Sequence, residues 1–296
     1  MDYATRQGYL AALGAVLIWS GFILVSRMGG ISPLLSYDVI AIRYTTCALL
    51  ILPIWWFKFR FNLWQPKLIV CSVVGGLGYA LFAFKGFEST PASQSAVLLP
   101  GLIPVMIILL SVIINKQSHP WAKWLGVGII TSGISILFWQ EFKLEGELAI
   151  GHLSLLAAAF CWGILSVLLS RWQITPWQAT AGIAMLTCVI YMPVYLLWLP
   201  KNISLAQLPQ LWDDVFLQSF YQGFMATIVQ MLLYVRAVQL IGAANMGTMM
   251  AIVPVLAGVS ALALFDEPLK LSLAIAMLMV SIGVWFANTS YFSKAE

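Results

Sequence analysis

Amide and hydroxyl side chains form a stripe within one of the apolar runs of the sequence. Gln222, Gln230 and Tyr234 stand with Ala226 at successive spacings of four residues, which places all four on one face of a helix. An amide that faces lipid is costly, and that cost is removed when the same face lies against other helices or water. The stripe therefore predicts a surface that faces either water or a ligand, with Gln230 and Tyr234 as candidate contacts.

A second kind of polar segment interrupts two other apolar runs. ASQSAVLLPGLIPV at 92–105 contains Gln94, and AANMGTMMAIVPV at 243–255 contains Asn245. Polar groups and irregular backbone are tolerated at membrane depth where they are buried in protein or line a wet cavity. We therefore expect Gln94 and Asn245 to line such a cavity. The alternative is that they only join helices by hydrogen bonds, at roughly 1 kcal/mol each.

The sequence contains no comparable pattern of residues for catalysis or metal binding. His119 and His152 each flank an apolar run singly, and no motif with metal-ligand spacing such as HExxH occurs. The four cysteines lie inside apolar runs without close pairing, which is typical of small buried hydrophobic residues. An intramembrane enzyme would need a nucleophile–base pair or metal ligands at depth. We expect no catalytic residue, no metal site and no cofactor.

The composition indicates which elements must position these side chains. Of the 296 residues, 61% are hydrophobic and only 9% are charged, whereas ordinary globular domains have roughly 25% charged residues. Ten runs lack Asp, Glu, Lys and Arg, and all but the run 44–57 reach the minimum of about 17 residues for a spanning helix. That run extends back through Asp38 and Arg43. The sequence therefore predicts an all-α membrane protein with ten transmembrane helices.

Positive charges predict how the helices are oriented. With the N-terminus in the cytoplasm, the links on that side hold nine Lys and Arg residues and the links on the other side hold five. This asymmetry follows the positive-inside bias, so both termini are expected in the cytoplasm. The cations are scattered over the links, and the net charge of +4 therefore does not indicate a nucleic-acid partner.

The two halves of the sequence resemble each other. Trp19 and Trp162 are separated by 143 residues, and a later pair of prolines is separated by 150. Because each half holds five helices, the second half enters the bilayer from the opposite side, which makes an inverted repeat. We assign residues 1–143 to the first repeat and 144–296 to the second, and we expect a substrate site near the midplane where the repeats meet around a central cavity.

The repeat places further side chains beside this cavity. Trp19 lies about twelve residues into its run, which is too deep for the usual interfacial role of tryptophan, and Trp162 occupies the equivalent depth. We expect the two indoles to form facing walls for a flat or apolar ligand. Tyr79 aligns with Gln230 and is expected to share the site. The fourth and ninth helices, which hold the two interrupted segments, are expected to form the cavity wall.

One cation lies within a predicted span. Arg43 stands about six residues inside the second helix, near its predicted outer end, and an intramembrane charge marks a functional site by default. Asp38 and Glu88 lie near the same end as candidate partners. We expect Arg43 to form a structural ion pair or a gate with one of them. Direct contact with a substrate carboxylate is the alternative.

Several segments resemble the EamA branch of the drug/metabolite transporter superfamily. They are WSGFILVSR (19–27), KGFESTPASQSAVLLPGLIPV (85–105), its counterpart YVRAVQLIGAANMGTMMAIVPV (234–255), and FDEPLKLSLAIAMLMVSIGVW (265–285). In the last segment, Glu267 matches the acid that precedes the final helix of the family's unit, and we expect it to cap that helix. The sequence departs from the pattern at Gln117, where the first unit would carry its acid, and near Leu186, the equivalent of Arg43.

The resemblance implies a ten-helix transporter that exports small metabolites, often amino acids, across a bacterial inner membrane. In layout it is nearest to the exporters of aromatic and neutral amino acids. The expected partners are a small-molecule substrate and the lipid bilayer, and we expect a monomer that works by alternating access. A flippase for lipids or lipid-linked sugars, which the same superfamily contains, is the alternative. It should need a lateral opening and polar residues clustered on one membrane side.

Overall fold

Ten long helices make up the described part of the protein. A computed structural model describes residues 3–145, 150–203 and 207–288, and within these ranges ten helices are long and apolar enough to cross a membrane. They are α1 (Tyr3–Ile31), α2 (Ser36–Phe59), α3 (Pro66–Ser89), α4 (Ala92–Asn115), α5 (Trp121–Glu145), α6 (Ile150–Arg171), α7 (Pro176–Leu197), α8 (Trp212–Gly242), α9 (Asn245–Leu264) and α10 (Leu271–Asn288). The predicted all-α class with ten spans is confirmed, and the predicted repeat boundary at 143–144 falls in the last turn of α5.

Glycine contacts between α5 and α10 display the inverted repeat. A Cβ added to Gly126 would lie 2.6 Å from the carbonyl oxygen of Gly283, and a Cβ added to Gly133 would lie 3.5 Å from that of Ala276. Gly283 stands 150 residues after Gly133, and Ala276 stands 150 residues after Gly126. The two contacts therefore exchange under the repeat, as an interface about a two-fold axis requires. The pseudo-axis passes between these two helices.

The remaining helices follow the same exchange. Helix α1 packs on α8 and α9, while its equivalent α6 packs on α3 and α4. Helix α2 packs on α7 and α8, and α7 packs in turn on α2 and α3. Helices α4, α5, α9 and α10 pack on one another at one side of the bundle. The central space is consequently enclosed by α1, α2, α3, α6, α7 and α8.

Two π-helical segments occur at equivalent places in α3 and α8. The first is Ser72–Gly78 and the second is Ser219–Val229. Each ends directly before a residue of the predicted site, Tyr79 in α3 and Gln230 in α8. An extra residue in a turn changes which side chains share a face, and such segments are frequent at functional sites. The two segments therefore set the direction of the side chains that follow them.

The two polar segments that interrupt apolar runs differ in backbone. Helix α4 continues through Pro100 and Pro104. Helix α9 is interrupted at Ala251 and Ile252, directly before the segment that contains Pro254. Gly242, with φ of 83°, makes the turn from α8 to α9, a backbone conformation that suits glycine.

Candidate functional site

A cavity of about 140 Å³ lies between the two repeats. It is lined by α1, α2 and α3 of the first repeat and by α6, α7 and α8 of the second. The lining residues are Trp19, Phe22, Arg43, Tyr44, Gly75, Tyr79, Trp162, Leu165, Ser166, Leu169, Ala179, Thr180, Ile183, Ala184, Ala226, Thr227, Gln230 and Met231. The cavity is similar in volume to an engineered apolar cavity of about 150 Å³ that binds benzene. It therefore suits a solute built around a single ring or a similar small body.

Three aromatic rings meet in the cavity. The ring centroids of Trp19 and Trp162 are 5.9 Å apart at an interplanar angle of 82°, and those of Tyr79 and Trp162 are 4.9 Å apart. Edge-to-face contacts at these distances are favourable. The two indoles contact each other, which differs from the expected pair of separated walls. They form one continuous aromatic surface at the place where equivalent helices of the two repeats approach.

Polar groups on this surface have unused hydrogen-bonding capacity. Gln230 is only 7% exposed, yet its amide makes no hydrogen bond within the described part of the chain. Among the described residues, no hydrogen bond joins the Tyr79 hydroxyl or the indole nitrogens of Trp19 and Trp162 to another group. Polar groups as buried as those of Gln230 and Tyr79 are normally paired, so these two side chains are suited to hydrogen-bond a bound solute.

The serine and threonine hydroxyls around the cavity are already engaged as donors. Ser166 Oγ donates to the carbonyl of Trp162 at 2.8 Å, Thr180 Oγ1 donates to that of Pro176 at 2.9 Å, and Thr227 Oγ1 donates to that of Gln222 at 2.7 Å. Their oxygens can still accept a hydrogen bond. Around the aromatic surface the cavity thus offers acceptors at its hydroxyls and a donor–acceptor pair at the Gln230 amide.

Arg43 lines the cavity without the ion pair that was expected. Asp38 is fully buried and accepts hydrogen bonds from the Tyr195 hydroxyl and from the backbone nitrogens of Leu35 and Asn202. The expected pairing of Arg43 with a carboxylate at this end was therefore wrong for Asp38, because groups from α7 and the following link occupy that carboxylate.

The second expected partner of Arg43 is also engaged elsewhere. Glu88 accepts a hydrogen bond from Lys85 at 2.8 Å and another from the Ser36 hydroxyl. The Arg43 guanidinium instead donates to the Gln222 amide at 3.3 Å and lies 5.3 Å from the ring centroid of Phe22. Within the described residues, Arg43 has no carboxylate at salt-bridge distance.

One end of the bundle closes the cavity. At the end that holds the α1–α2 link, Arg27 donates from α1 to the carbonyls of Phe87 and Glu88 at 2.9 and 2.6 Å. At the adjacent position of α1, Ser26 Oγ accepts a hydrogen bond from the Gln222 amide of α8 at 3.0 Å. The cavity extends the other way, toward Leu169 and Thr180 beside the α6–α7 link. The protein therefore has a conformation that is closed at the α1–α2 end.

Two of the predicted cavity residues, Gln94 and Asn245, lie elsewhere. The Gln94 side-chain oxygen is 2.7 Å from His152 Nε2, so the amide joins α4 to α6. Asn245 is exposed, and its amide donates to the carbonyl of Ile241 one turn before it. Helices α4 and α9 are absent from the lining of the cavity, so the expectation that they form its wall was wrong. Gln94 has the alternative, helix-joining role.

Tyr234 also lies outside the cavity. Its side chain is 36% exposed, although it follows Gln230 by four residues. Leu233 packs against Gly14 of α1, and Ala237 is fully buried in the same contact. Those two residues take the inward face of this part of α8, and Tyr234 is directed away from it.

Glu267 caps a different helix from the one expected. Its carboxylate accepts hydrogen bonds from the backbone nitrogens of Ala92 and Ser93 at 2.7 and 2.9 Å, and from the Ser93 hydroxyl. These groups form the N-terminus of α4 in the first repeat. An acid is favoured there because the first nitrogens of a helix lack intrahelical partners. Glu267 thus joins the two repeats.

We expect Glu267→Gln to lower the free energy of unfolding by about 1–3 kcal/mol, because the backbone donors at α4 lose a charged acceptor. Thermal unfolding in detergent is the measurement. Asp266→Asn is the matched control, since Asp266 is exposed and asparagine accepts its positive φ of 50°. Equal stability of the two variants would contradict this role of Glu267.

Helix α7 supplies cavity residues that the sequence did not reveal. Ala179, Thr180, Ile183 and Ala184 line the cavity, yet three of them are apolar and none stands out from its run. The repeat could have predicted these residues, because α7 is the equivalent of α2, which carries Arg43. A helix equivalent to one at the site was bound to approach it from the opposite side.

Comparison with known proteins gives the family and the fold of the chain. The model of the EamA-like transporter family matches residues 6–139 and again residues 149–289. Among solved structures 25 chains match, and one described as "Crystal structure of protein" gives a TM-score of 0.63 at 20% sequence identity, covering 96% of both chains. A likeness at that identity concerns the fold alone. No curated protein matches the chain.

Proposed function

The chain belongs to the EamA-like transporter family, within the drug/metabolite transporter superfamily, and on that premise we propose that it exports small amphipathic metabolites by alternating access. Neutral and aromatic amino acids and compounds related to them are the proposed substrates. We place the protein in a bacterial inner membrane with both termini in the cytoplasm. The aromatic and amide-lined cavity between the repeats is the observation on which the proposal depends.

The size and chemistry of the cavity support a small amphipathic solute. A volume of about 140 Å³ fits one ring, whereas a lipid-linked sugar would need a larger space. Trp19, Tyr79 and Trp162 supply apolar area for the body of the solute, and Gln230 supplies hydrogen bonds for its polar end. Small-molecule sites commonly combine a mostly apolar lining with a few convergent polar groups.

The closure at one end supports alternating access. If the N-terminus is cytoplasmic, the closed α1–α2 end faces the outside and the cavity extends toward the cytoplasm. Loading from the cytoplasm would then precede opening of the outer end, which agrees with export. In inverted-repeat transporters, this exchange is commonly a rocking of one repeat or bundle against the other around a fixed site.

Gln230→Ala is expected to reduce substrate flux by about three- to tenfold, because a neutral hydrogen bond contributes about 0.5–1.5 kcal/mol. Radiolabelled uptake into proteoliposomes at matched protein content is the measurement. Tyr234→Ala is the control on the same helix and should retain the flux of the unaltered protein, since Tyr234 lies outside the cavity. Equal flux of the two variants would place the solute path elsewhere.

Flux across a chemical panel tests the function itself. Purified protein in proteoliposomes should move at least one class of neutral or aromatic amino acid or related metabolite. Translocation of lipid headgroups without flux of any small metabolite would favour the flippase instead and would overturn the proposal.

A further inference from the structure

Arg43 is the one charged side chain among the described residues that line the cavity. The other lining residues are aromatic, aliphatic, hydroxyl-bearing or amide-bearing, and none of them is acidic. The cavity wall therefore has a formal charge of +1 with no negative group to balance it. A charge in such a place is costly unless it is paired.

The guanidinium of Arg43 has few partners of its own. It carries five N–H donors, and among the described residues its one side-chain hydrogen bond is to the Gln222 amide, at 3.3 Å. Its Nε is buried and makes no hydrogen bond within the described part of the chain. Most of the planar donor array is thus available for an acceptor that enters the cavity.

Aromatic rings surround the guanidinium on its remaining sides. Its central carbon lies 5.3 Å from the ring centroid of Phe22, 5.8 Å from that of Tyr44 and 5.9 Å from that of Phe84. These contacts favour a cation at this place, but they engage the ring faces and leave the N–H donors unpaired. The aromatic rings hold the guanidinium in position, and its N–H donors stay available for hydrogen bonds to a solute.

We propose that Arg43 binds the carboxylate of the transported solute, and that the cavity takes a monocarboxylate with an aromatic or compact apolar body. Guanidinium and carboxylate groups match in a two-point hydrogen bond. The body of the solute would lie against Trp19, Tyr79 and Trp162. Because no acid lines the described cavity, an α-amino group on the solute contributes little. This inference rests on the proposed transport function and narrows its substrate class.

Three probes that share a phenyl ring and the two carbons attached to it test the inference on the purified protein. 3-Phenylpropanoate carries only the carboxylate, 2-phenylethylamine carries only the amine, and L-phenylalanine carries both. Ligand binding to the folded state raises the apparent melting temperature according to concentration over dissociation constant. We expect stabilisation by 3-phenylpropanoate at least as large as that by L-phenylalanine, and none by 2-phenylethylamine at equal concentration.

Arg43→Gln should weaken binding of 3-phenylpropanoate roughly tenfold or more, since it removes a charged two-point partner. Arg43→Lys keeps the positive charge but lacks the planar guanidinium. Its affinity for 3-phenylpropanoate should lie between that of the unaltered protein and that of Arg43→Gln. Arg236→Gln is the matched control, because Arg236 is exposed on α8 and its loss should leave binding unchanged. If Arg43→Gln fails to fold, the comparison of the three probes on the unaltered protein still tests whether the cavity selects a carboxylate.

Three results would overturn the inference. They are binding of 2-phenylethylamine as tight as that of 3-phenylpropanoate, binding of L-phenylalanine without 3-phenylpropanoate, and no binding of any of the three probes. Flux of other small metabolites in proteoliposomes would, in each case, leave the transport function standing. Failure of flux across the whole panel would instead remove the function, so the two failures are distinguishable.

Discussion

Trp162→Ala is expected to reduce substrate flux roughly tenfold or more. The indole of Trp162 contacts both Trp19 and Tyr79, so its removal breaks the aromatic surface at its centre. An aromatic contact contributes about 0.5–1.5 kcal/mol beyond the area it buries, and about 1.4 kcal/mol is tenfold in affinity. Trp162→Phe retains an aromatic ring at the same place, so its substrate flux should fall less than that of Trp162→Ala.

Initial rates of uptake into proteoliposomes, over a range of substrate concentrations, are the measurement. Trp64→Ala is the control, because Trp64 is 63% exposed in the α2–α3 link and is remote from the cavity. Both variants should elute as folded protein in the same yield. Flux by Trp162→Ala at the level of Trp64→Ala would show that the solute does not contact this aromatic surface.

Gly126→Ala is expected to destabilise the protein by roughly 1–3 kcal/mol, the usual cost of overpacking. The new Cβ would lie 2.6 Å from the carbonyl oxygen of Gly283 and 2.7 Å from the backbone nitrogen of Ala287. Neither atom belongs to a flexible side chain, so α5 and α10 would have to separate. Because these two helices meet at the pseudo-axis, the separation would loosen the contact between the repeats.

Gly128→Ala is the matched control for this substitution. It lies on the same helix, it is exposed, and a Cβ added there meets nothing within 4 Å. Its stability should stay within about 0.5 kcal/mol of the unaltered protein. Thermal unfolding in detergent compares the two variants, and a Gly126→Ala protein as stable as Gly128→Ala would show that the helices do not approach as closely as described.

The architecture was predictable because a membrane imposes simple rules. The length of each apolar run fixes the number of spans, and an odd number of spans in each repeat fixes the inversion. Trp19 and Trp162 were identified by the same means, since their equivalence and depth needed no knowledge of packing. Gln230 was predicted from the polar stripe on its own helix and Tyr79 from its alignment with Gln230 across the repeat, and both line the cavity.

The polar contacts were less predictable because they depend on which helices touch. Gln94 was expected in the cavity, yet its amide faces His152, a residue 58 positions away. Arg43 and Asp38 lie at the same end of α2, yet the hydroxyl that occupies Asp38 comes from Tyr195 on α7. A polar side chain in an apolar run needs a partner, but its sequence neighbourhood does not show which one.

Only part of the stripe predicted on α8 lines the cavity, because helical spacing is not uniform along that helix. A spacing of four residues marks one face only in a regular α-helix, and the π-helical segment Ser219–Val229 departs from that spacing. In the structure Ala226 and Thr227 both line the cavity, as do Gln230 and Met231. The lining face thus shifts along the helix, and Tyr234 falls outside it.

In the proposed alternating-access cycle, the unbalanced positive charge at Arg43 makes the change of accessible side sensitive to the voltage across the bilayer. A protein that changes its accessible side with an empty cavity carries that charge through part of the voltage drop, whereas one occupied by a monoanion carries no net charge. An elementary charge that crosses the full drop changes the energy by about 2.3 kcal/mol per 100 mV. The membrane voltage should therefore change the rate at which the unoccupied protein returns, and it should have little effect on the rate of the step that carries the solute.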